Sequence, residues 1–240
     1  MLDKDKKDDP AFLYFPTNYR WSMGLLICLS GAPWTGVEID EVNRVGRALA
    51  DKVGDDTAWF EEWCRMGDKI AARGREAERA GHRLTAASCF MRASRYYQTG
   101  ERFIHPRSQR SMDVYAKSVS LFKEAAAVIR RPRIEPVEVP YGDTSLPALL
   151  VHPDPEAARG RPAPAMVFFD GFDVTKELQY GYGVPDLAAR GVGCLIVDGP
   201  GNGESVRFRN LPLIAETERY ATPAYEYLAG RREFDEKRIG

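Results

Sequence analysis

The chain has 240 residues, with 34 lysines and arginines against 35 aspartates and glutamates. This length suits one or two domains with a buried core, and the near-zero net charge gives no reason to expect a nucleic acid or an anionic membrane as partner. Four widely separated cysteines without metal-ligand spacing, and no apolar run near the roughly 18 residues of a membrane span, predict a cytoplasmic protein without a metal.

The first half of the chain is predicted to be an arm followed by a helical domain. Aromatic residues are scattered over 11–34, so residues 1–35 are interpreted as an N-terminal arm without a regular element. Helical spacing of apolar residues dominates from there on, and residues 36–132 are interpreted as a helical cap domain.

Four helices are expected in this cap domain. They are predicted at about 36–53, 56–80, 83–99 and 112–129. Thr35 and Glu38 could form a capping box at the start of the first helix. Gly81 and Gly100 are placed where glycines end helices, so we expect the second and third helices to stop there.

The second half, residues 133–240, alternates short apolar runs with helical patterns. Extended runs are predicted at 134–139, 146–151, 165–169 and 193–197, with a turn at 141–143 and helices at 177–190 and 213–230. The runs at 165–169 and 193–197 are apolar throughout, as in strands that are buried on both faces. The alternation predicts an α/β fold with a parallel sheet and crossover helices.

Two loops that follow buried strands are candidates for chemistry, because ligands of such folds bind at the carboxyl ends of the strands. The first is Asp170-Gly171-Phe172-Asp173, where a backbone N–H held in a sharp turn could stabilise an oxyanion. A plain strand-to-helix turn is the alternative. The second, residues 198–205 (DGPGNGES), is rich in glycine but lacks the Gly-Lys-Ser/Thr ending of a phosphate-binding loop.

These motifs resemble the core of the α/β-hydrolases. The family shares the order strand, Asp-Gly, helix, strand and D-x-x-G-x-G-x-S, and residues 235–240 (DEKRIG) resemble the segment that leads into its next strand. The helical segment 59–97 is similar to the cap of the 2,6-dihydroxypseudooxynicotine hydrolase group, which includes the yellowish-green pigment hydrolases and FrsA-like esterases. The resemblance covers about residues 12–240.

The resemblance implies a helical N-terminal cap domain followed by the first part of an α/β-hydrolase parallel sheet. It implies a serine-type hydrolase without a cofactor, acting on an ester or a ketone-adjacent C–C bond of an apolar or aromatic small molecule. The oxyanion hole would use the N–H of Phe172, next to Gly171. The serine, acid and histidine would all follow Gly240, so no catalytic residue is implied within the chain.

Other candidate residues are weaker. Asp173, Phe90, Tyr97 and His105 could line a substrate pocket, although plain core packing is the favoured explanation for the two aromatic residues. Ser205 has no histidine after it, because His82, His105 and His152 all precede it. Structural or solvent-exposed roles are therefore predicted for the three histidines.

Without a nucleophile and base, we expect the chain to be part of a longer protein or to be completed by a second chain. In the family's sheet, the strand ending at Asp170 would lie beside the strand after Gly240. Residues 1–240 alone would then expose an apolar strand edge and self-associate. A homodimer is the expected natural assembly.

Two other functions remain open. Residues 77–97 resemble one tetratricopeptide unit, which would indicate a binding module, but such arrays need at least three repeats and no second copy is found. The chain could also be a truncated, non-catalytic homologue that regulates a full-length relative. Reading the gene past codon 240 separates this regulator from an enzyme.

Overall fold

A computed structural model describes residues 13–171 and 173–240. The helices of the first half are α1 (Tyr19–Leu29), α2 (Ala32–Thr35), α3 (Ile39–Ala48), α4 (Asp56–Arg79), α5 (Arg83–Glu101) and α6 (Gln109–Val128). The strands of the second half are β1 (Ile134–Tyr141), β2 (Thr144–Val151), β3 (Ala163–Phe169), β4 (Gly193–Val197) and β5 (Phe234–Ile239). Its helices are α7 (Pro155–Ala158), α8 (Lys176–Tyr180), α9 (Val184–Ala189), α10 (Gly203–Phe208) and α11 (Glu218–Ala229). None of the helices in these ranges is both long and apolar enough to cross a bilayer.

The first half is helical, as predicted, but its beginning is more regular than expected. The prediction of an irregular arm is wrong for α1, whose N-cap Asn18 accepts a hydrogen bond from the Trp21 N–H. Trp21 is fully buried against Trp59 of α4, so burial of this aromatic residue holds the helix in place. The predicted capping box is also wrong, because α3 begins after Glu38 and the Thr35 hydroxyl donates to the Gly31 carbonyl instead.

Gly100 does not end a helix, contrary to the prediction. It lies inside α5, where a Cβ would come within 2.9 Å of the Trp63 Cβ on α4. The glycine therefore serves close packing between α4 and α5. Gly81 does follow α4, with a positive φ of 80°, as expected of a glycine that ends a helix.

The five strands of the described residues form one mixed sheet in the order β1-β2-β4-β3-β5. β1 and β2 form an antiparallel hairpin, and β2 is also antiparallel to β4. β3 is parallel to β4 and to β5. The predicted fold class is confirmed, with the parallel arrangement confined to β4, β3 and β5.

Apolar side chains cover both faces of this sheet. One face continues into the interior of the cap, where Leu149 and Ile196 join the same core as Trp59 and Phe122. The other face packs on α11, where Leu195 joins the same core as Tyr220 and Leu228. The sheet therefore lies between the cap helices and α11.

Contrary to the expectation for residues 1–240, β3 is not left as an unpaired edge strand. Residues 234–239 do not merely lead into a strand; they form β5, and the Gly240 carbonyl accepts a hydrogen bond from the Val167 N–H of β3. β3 therefore has neighbours on both sides, and the edge strand is β5, whose middle residues 236–238 are charged and exposed. β3 is also only half-buried, with Met166 exposed, so the prediction of full burial is wrong for β3 and right for β4.

The helix predicted at 177–190 is two short helices. Gly183 has a φ of 93°, a left-handed conformation that interrupts the helix, and α9 then begins at Val184 with Pro185 in its first turn. In the last predicted helix, residues 213–217 are irregular and α11 begins at Glu218. The glycine-rich loop after β4 enters α10, a helix that the sequence pattern did not indicate.

Candidate active site

The turns after β3 and β4 lie side by side at the carboxyl edge of the parallel strands. Phe169 and Val197, the last residues of these strands, are paired in register. The Asn202 side chain, in the loop after β4, donates to the Val174 carbonyl in the loop after β3. The two loops that the sequence analysis singled out, at Asp170 and Asp198, are therefore neighbours.

Asp198 organises this edge. It is fully buried, and its carboxylate accepts hydrogen bonds from the backbone N–H groups of Lys176 at 2.9 Å and of Glu204 at 2.9 Å. Asp198 thus caps the first turns of both α8 and α10. The Ser205 hydroxyl donates to the Asp198 carbonyl at 2.6 Å, so this buried serine helps to hold the loop after β4.

A buried ion cluster surrounds the Asp198 carboxylate. The Lys176 Nζ lies 2.7 Å from a carboxylate oxygen of each of Asp198, Glu177 and Glu204. We call these four residues the lysine cluster. The Lys176 side chain is 1% exposed, and lysines are almost never buried to this degree unless they are paired.

The lysine cluster holds one cation against three carboxylates, and the pKa values reflect this imbalance. Burial disfavours the charge of Lys176, but the three carboxylates outweigh it and hold its pKa well above the usual value. Burial raises the pKa of Glu177, and the charges of Asp198 and Glu204 add to this while Lys176 opposes it. Glu177 therefore keeps its proton to a higher pH than an ordinary glutamate does.

Hydrogen bonds connect the lysine cluster to the cap. The Gln98 amide of α5 donates to the Glu177 carboxylate at 3.3 Å and to the Ser118 hydroxyl of α6 at 2.9 Å. The Thr175 hydroxyl donates to the Gln98 carbonyl oxygen at 2.6 Å. Hydrogen bonds thus link the side chains that hold the two turns to α5 and α6 of the cap.

Asp170 directly follows β3, close enough to the cluster to be affected by the charge of Asp198. Burial, together with the negative charge of Asp198, raises the pKa of Asp170 to about 7. An acid of this kind changes its charge near neutral pH, which is uncommon for aspartate.

Asp170→Asn is expected to change how stability depends on pH. The pKa of Asp170 is higher in the folded chain than its ordinary value, so the stability contributed by the protonated form is complete below about pH 4 and is lost as the pH rises through about 7. The variant should gain more in melting temperature over the wild type at pH 8 than at pH 5. Thermal melts followed by circular dichroism measure this gain.

The control for this experiment is Asp143→Asn, in the exposed turn between β1 and β2. Its difference from the wild type should be the same at both pH values. An Asp170→Asn variant whose advantage does not grow between pH 5 and pH 8 would contradict the assignment.

A cleft opens between the cap and this edge of the sheet. Its cap wall consists of Gln98, Glu101, Arg102, Ile104 and Pro106, and its core wall of Asp173, Thr175, Leu178, Gly201, Asn202, Val206 and Arg207. The lining combines apolar side chains with a few charged and amide groups, as small-molecule sites do. Among the described residues, no serine, cysteine or histidine lines the cleft.

The structure brings only some of the predicted site residues to the cleft. Asp173 lines it, and Gly171 lies in the turn beside it, exposed and without a positive φ. Phe172, the predicted oxyanion donor, lies outside the described residues. Phe90 and Tyr97 pack between α4 and α5, against Gly74 and Gly67, and do not line the cleft.

None of the three histidines is part of the cleft lining, although His105 lies between two lining residues, Ile104 and Pro106. His105 is exposed, and its Nδ1 accepts a hydrogen bond from the Arg107 N–H. His152 pairs with Glu135 at 2.7 Å on β1, and burial lowers its pKa. His82 is exposed before α5. His105 is therefore not a lining residue of the cleft. His82 and His105 are exposed, and His152 has a structural contact, as predicted for the three histidines.

The residues that sequence analysis missed are Lys176, Glu177, Gln98 and Arg207. Lys176 and Glu177 follow Thr175, the N-cap of α8, where charged residues usually signal an exposed first helical turn. Their burial depends on Asp198, which is 22 positions away, and no local pattern reports that contact. The only available signal was the aspartate directly after the buried run 193–197.

No family model matches the sequence. The chain is 29% identical over 219 residues to the hydrolase LUC6 of a Fusarium species, a match that covers 90% of this chain and 51% of that protein. It is 28% identical over 203 residues to the 20-hydroxy-prefusarin hydrolase FUS2 of Gibberella moniliformis, covering 83% of this chain and 48% of that protein. The chain thus spans about half the length of the curated relatives it matches.

The fold has a solved counterpart. The crystal structure of 2,6-dihydroxy-pseudo-oxynicotine hydrolase superposes with a TM-score of 0.72 at 21% identity, covering 88% of this chain and 56% of that chain. The likeness includes the helical first half and the mixed sheet. In sequence the chain is therefore similar to about half the length of these named hydrolases, and in fold it is similar to about half of the 2,6-dihydroxy-pseudo-oxynicotine hydrolase chain.

Proposed function

We propose that this chain is the cap and the first half of the core of a serine-type hydrolase. The reaction is hydrolysis of an ester, or of a carbon–carbon bond next to a ketone, in an apolar or aromatic small molecule. The nucleophile, acid and histidine would follow Gly240. The observation that carries the proposal is the parallel pairing of β5 with β3, next to the turn 170–173.

The position of β5 supports this proposal on geometric grounds. The carboxyl ends of β3, β4 and β5 point to the same edge of the sheet, because the three strands are parallel. A nucleophile elbow is a sharp turn from a strand into a helix at that edge. A serine in such a turn after β5 would lie near the turn after β3 and beneath the cleft.

The residues of this chain would then have defined parts in the reaction. Attack of the serine oxygen on a carbonyl places negative charge on the carbonyl oxygen, and backbone N–H groups aimed at that position stabilise it. The turn after β3 would provide one such N–H, at Phe172, and the residue after the serine would provide the other. The lysine cluster would keep the turns after β3 and β4 in place, and the apolar side chains of the cleft would bind the substrate and exclude water.

The decisive test begins with the gene. If the reading frame continues past codon 240 into an apolar strand end and G-x-S-x-G, the serine of that motif is the expected nucleophile. The full-length product should then react with a fluorophosphonate probe, and replacement of that serine by alanine should abolish labelling. A full-length product that carries the motif but neither takes the probe nor hydrolyses p-nitrophenyl esters would overturn the proposal.

A further inference from the structure

Two ion pairs join the cap to the core across the cleft. The cap supplies the carboxylate in one pair and the guanidinium in the other. Glu101 is the last residue of α5 and Arg102 follows it. Glu101 accepts a hydrogen bond from Arg207 of α10 and another from the Ser111 hydroxyl at 2.7 Å. Arg102 reaches the turn after β3, where it pairs with the Asp173 carboxylate. Neighbouring cap residues of opposite charge thus contact two different loops of the core.

The contact of Arg102 is directed at the backbone of the turn as well as at a side chain. Its Nη1 donates to the Asp173 carbonyl at 3.3 Å, while its Nη2 contacts the Asp173 carboxylate. The Arg102 side chain is only 9% exposed, so the guanidinium has little freedom to move away. A planar guanidinium that makes two contacts fixes orientation better than a single point charge does.

The same turn is held from the core side by different groups. The Val174 N–H donates to the Gly171 carbonyl at 3.1 Å, and the Asn202 amide donates to the Val174 carbonyl. Arg102 contacts the same turn from the cap side, at Asp173. Groups of both the core and the cap thus contact the described residues of this turn.

We infer that Arg102 is a positioning residue, which sets the backbone turn that would supply the oxyanion N–H and thereby couples seating of the cap to catalysis. The inference rests on the proposed function, because it is the hydrolytic reaction that needs this N–H. Arg102 touches neither the nucleophile nor the reacting carbonyl in this assignment. It acts through Asp173.

The test uses the full-length gene product and p-nitrophenyl acetate, an ester too small to span the cleft. Arg102→Gln should lower kcat by about tenfold or more, because loss of an oxyanion donor costs more than this and a displaced donor loses part of its effect. KM should change by less than about threefold. A residue that only binds the distal part of a natural substrate would leave hydrolysis of this small ester unaltered.

Arg92→Gln is the matched control. The Arg92 side chain is 10% exposed, and it also combines a carboxylate contact with a backbone carbonyl contact, to Gly36 at 3.1 Å. These contacts lie within the cap, away from the turn after β3. This variant should therefore keep the wild-type kcat for the small ester even if its melting temperature falls.

A third variant keeps the inference testable if Arg102→Gln folds poorly. Arg102→Lys retains the charge and one donor, so its kcat should lie between those of Arg102→Gln and the wild type. A wild-type kcat in Arg102→Gln, or an equal loss in Arg92→Gln, would overturn the inference. A wild-type enzyme that neither hydrolyses the ester nor takes the fluorophosphonate would instead overturn the proposed function, so the two failures are distinguishable.

Discussion

Lys176→Met is expected to lower the free energy of unfolding by about 3–5 kcal/mol, the usual cost of removing one partner from a buried ion pair. The methionine fills a similar volume, so the loss comes from electrostatics rather than from a cavity. Asp198, Glu177 and Glu204 would remain buried around a position that no longer holds a positive charge. Urea denaturation followed by circular dichroism measures the change.

Lys123→Met is the control for this experiment. The Lys123 Nζ lies 3.5 Å from the same Glu204 carboxylate, but its side chain is 44% exposed. A solvent-exposed pair of this kind contributes at most about 1 kcal/mol. Equal losses in the two variants would show that burial of the lysine cluster has no energetic consequence.

A double variant tests the source of the loss. Combining Lys176→Met with Glu204→Gln removes one of the uncompensated carboxylates, so the double variant should be more stable than the sum of the two single changes predicts. Simple additivity would contradict the assignment of the effect to unpaired carboxylates.

Gly203→Ala should destabilise the protein by about 3 kcal/mol, from overpacking together with the strain of a left-handed backbone. Gly203 has a φ of 45°, and a Cβ there would overlap the Asp198 carboxyl group. Asp198 cannot withdraw, because Lys176 and the Glu204 N–H hold its oxygens. The expected result is a lower urea midpoint with an unchanged dependence on denaturant.

Gly142→Ala separates the two contributions. Gly142 has a φ of 55° in the β1–β2 turn, and a Cβ there would meet nothing within 4 Å. This variant carries the backbone strain without the overlap, and it should lose only about 1–2 kcal/mol. A Gly203→Ala variant no less stable than Gly142→Ala would show that the Asp198 carboxyl group can move aside.

Local patterns in the sequence were sufficient to predict the helices and strands whose own apolar side chains form the buried face. The continuous apolar run of β4, the hairpin of β1 and β2, and the apolar stripe of α6 are all confirmed at close to their predicted positions. The two loops at Asp170 and Asp198 could be recognised because each follows an apolar run directly. Such features are predictable because the period of apolar residues reports the geometry of the element itself.

Only the tertiary structure decided which residues meet between elements. It paired β5 with β3, placed Gly100 inside α5 against α4, and buried Lys176 on Asp198. Each of these outcomes depends on a partner that is distant in the chain, and the same residues in isolation favour a different environment. A lysine at the start of a helix is expected to be exposed to solvent, and its burial here depends on carboxylates of α8, of α10 and of the loop after β4. This is the physical reason why the cleft and the lysine cluster could not be predicted from the sequence.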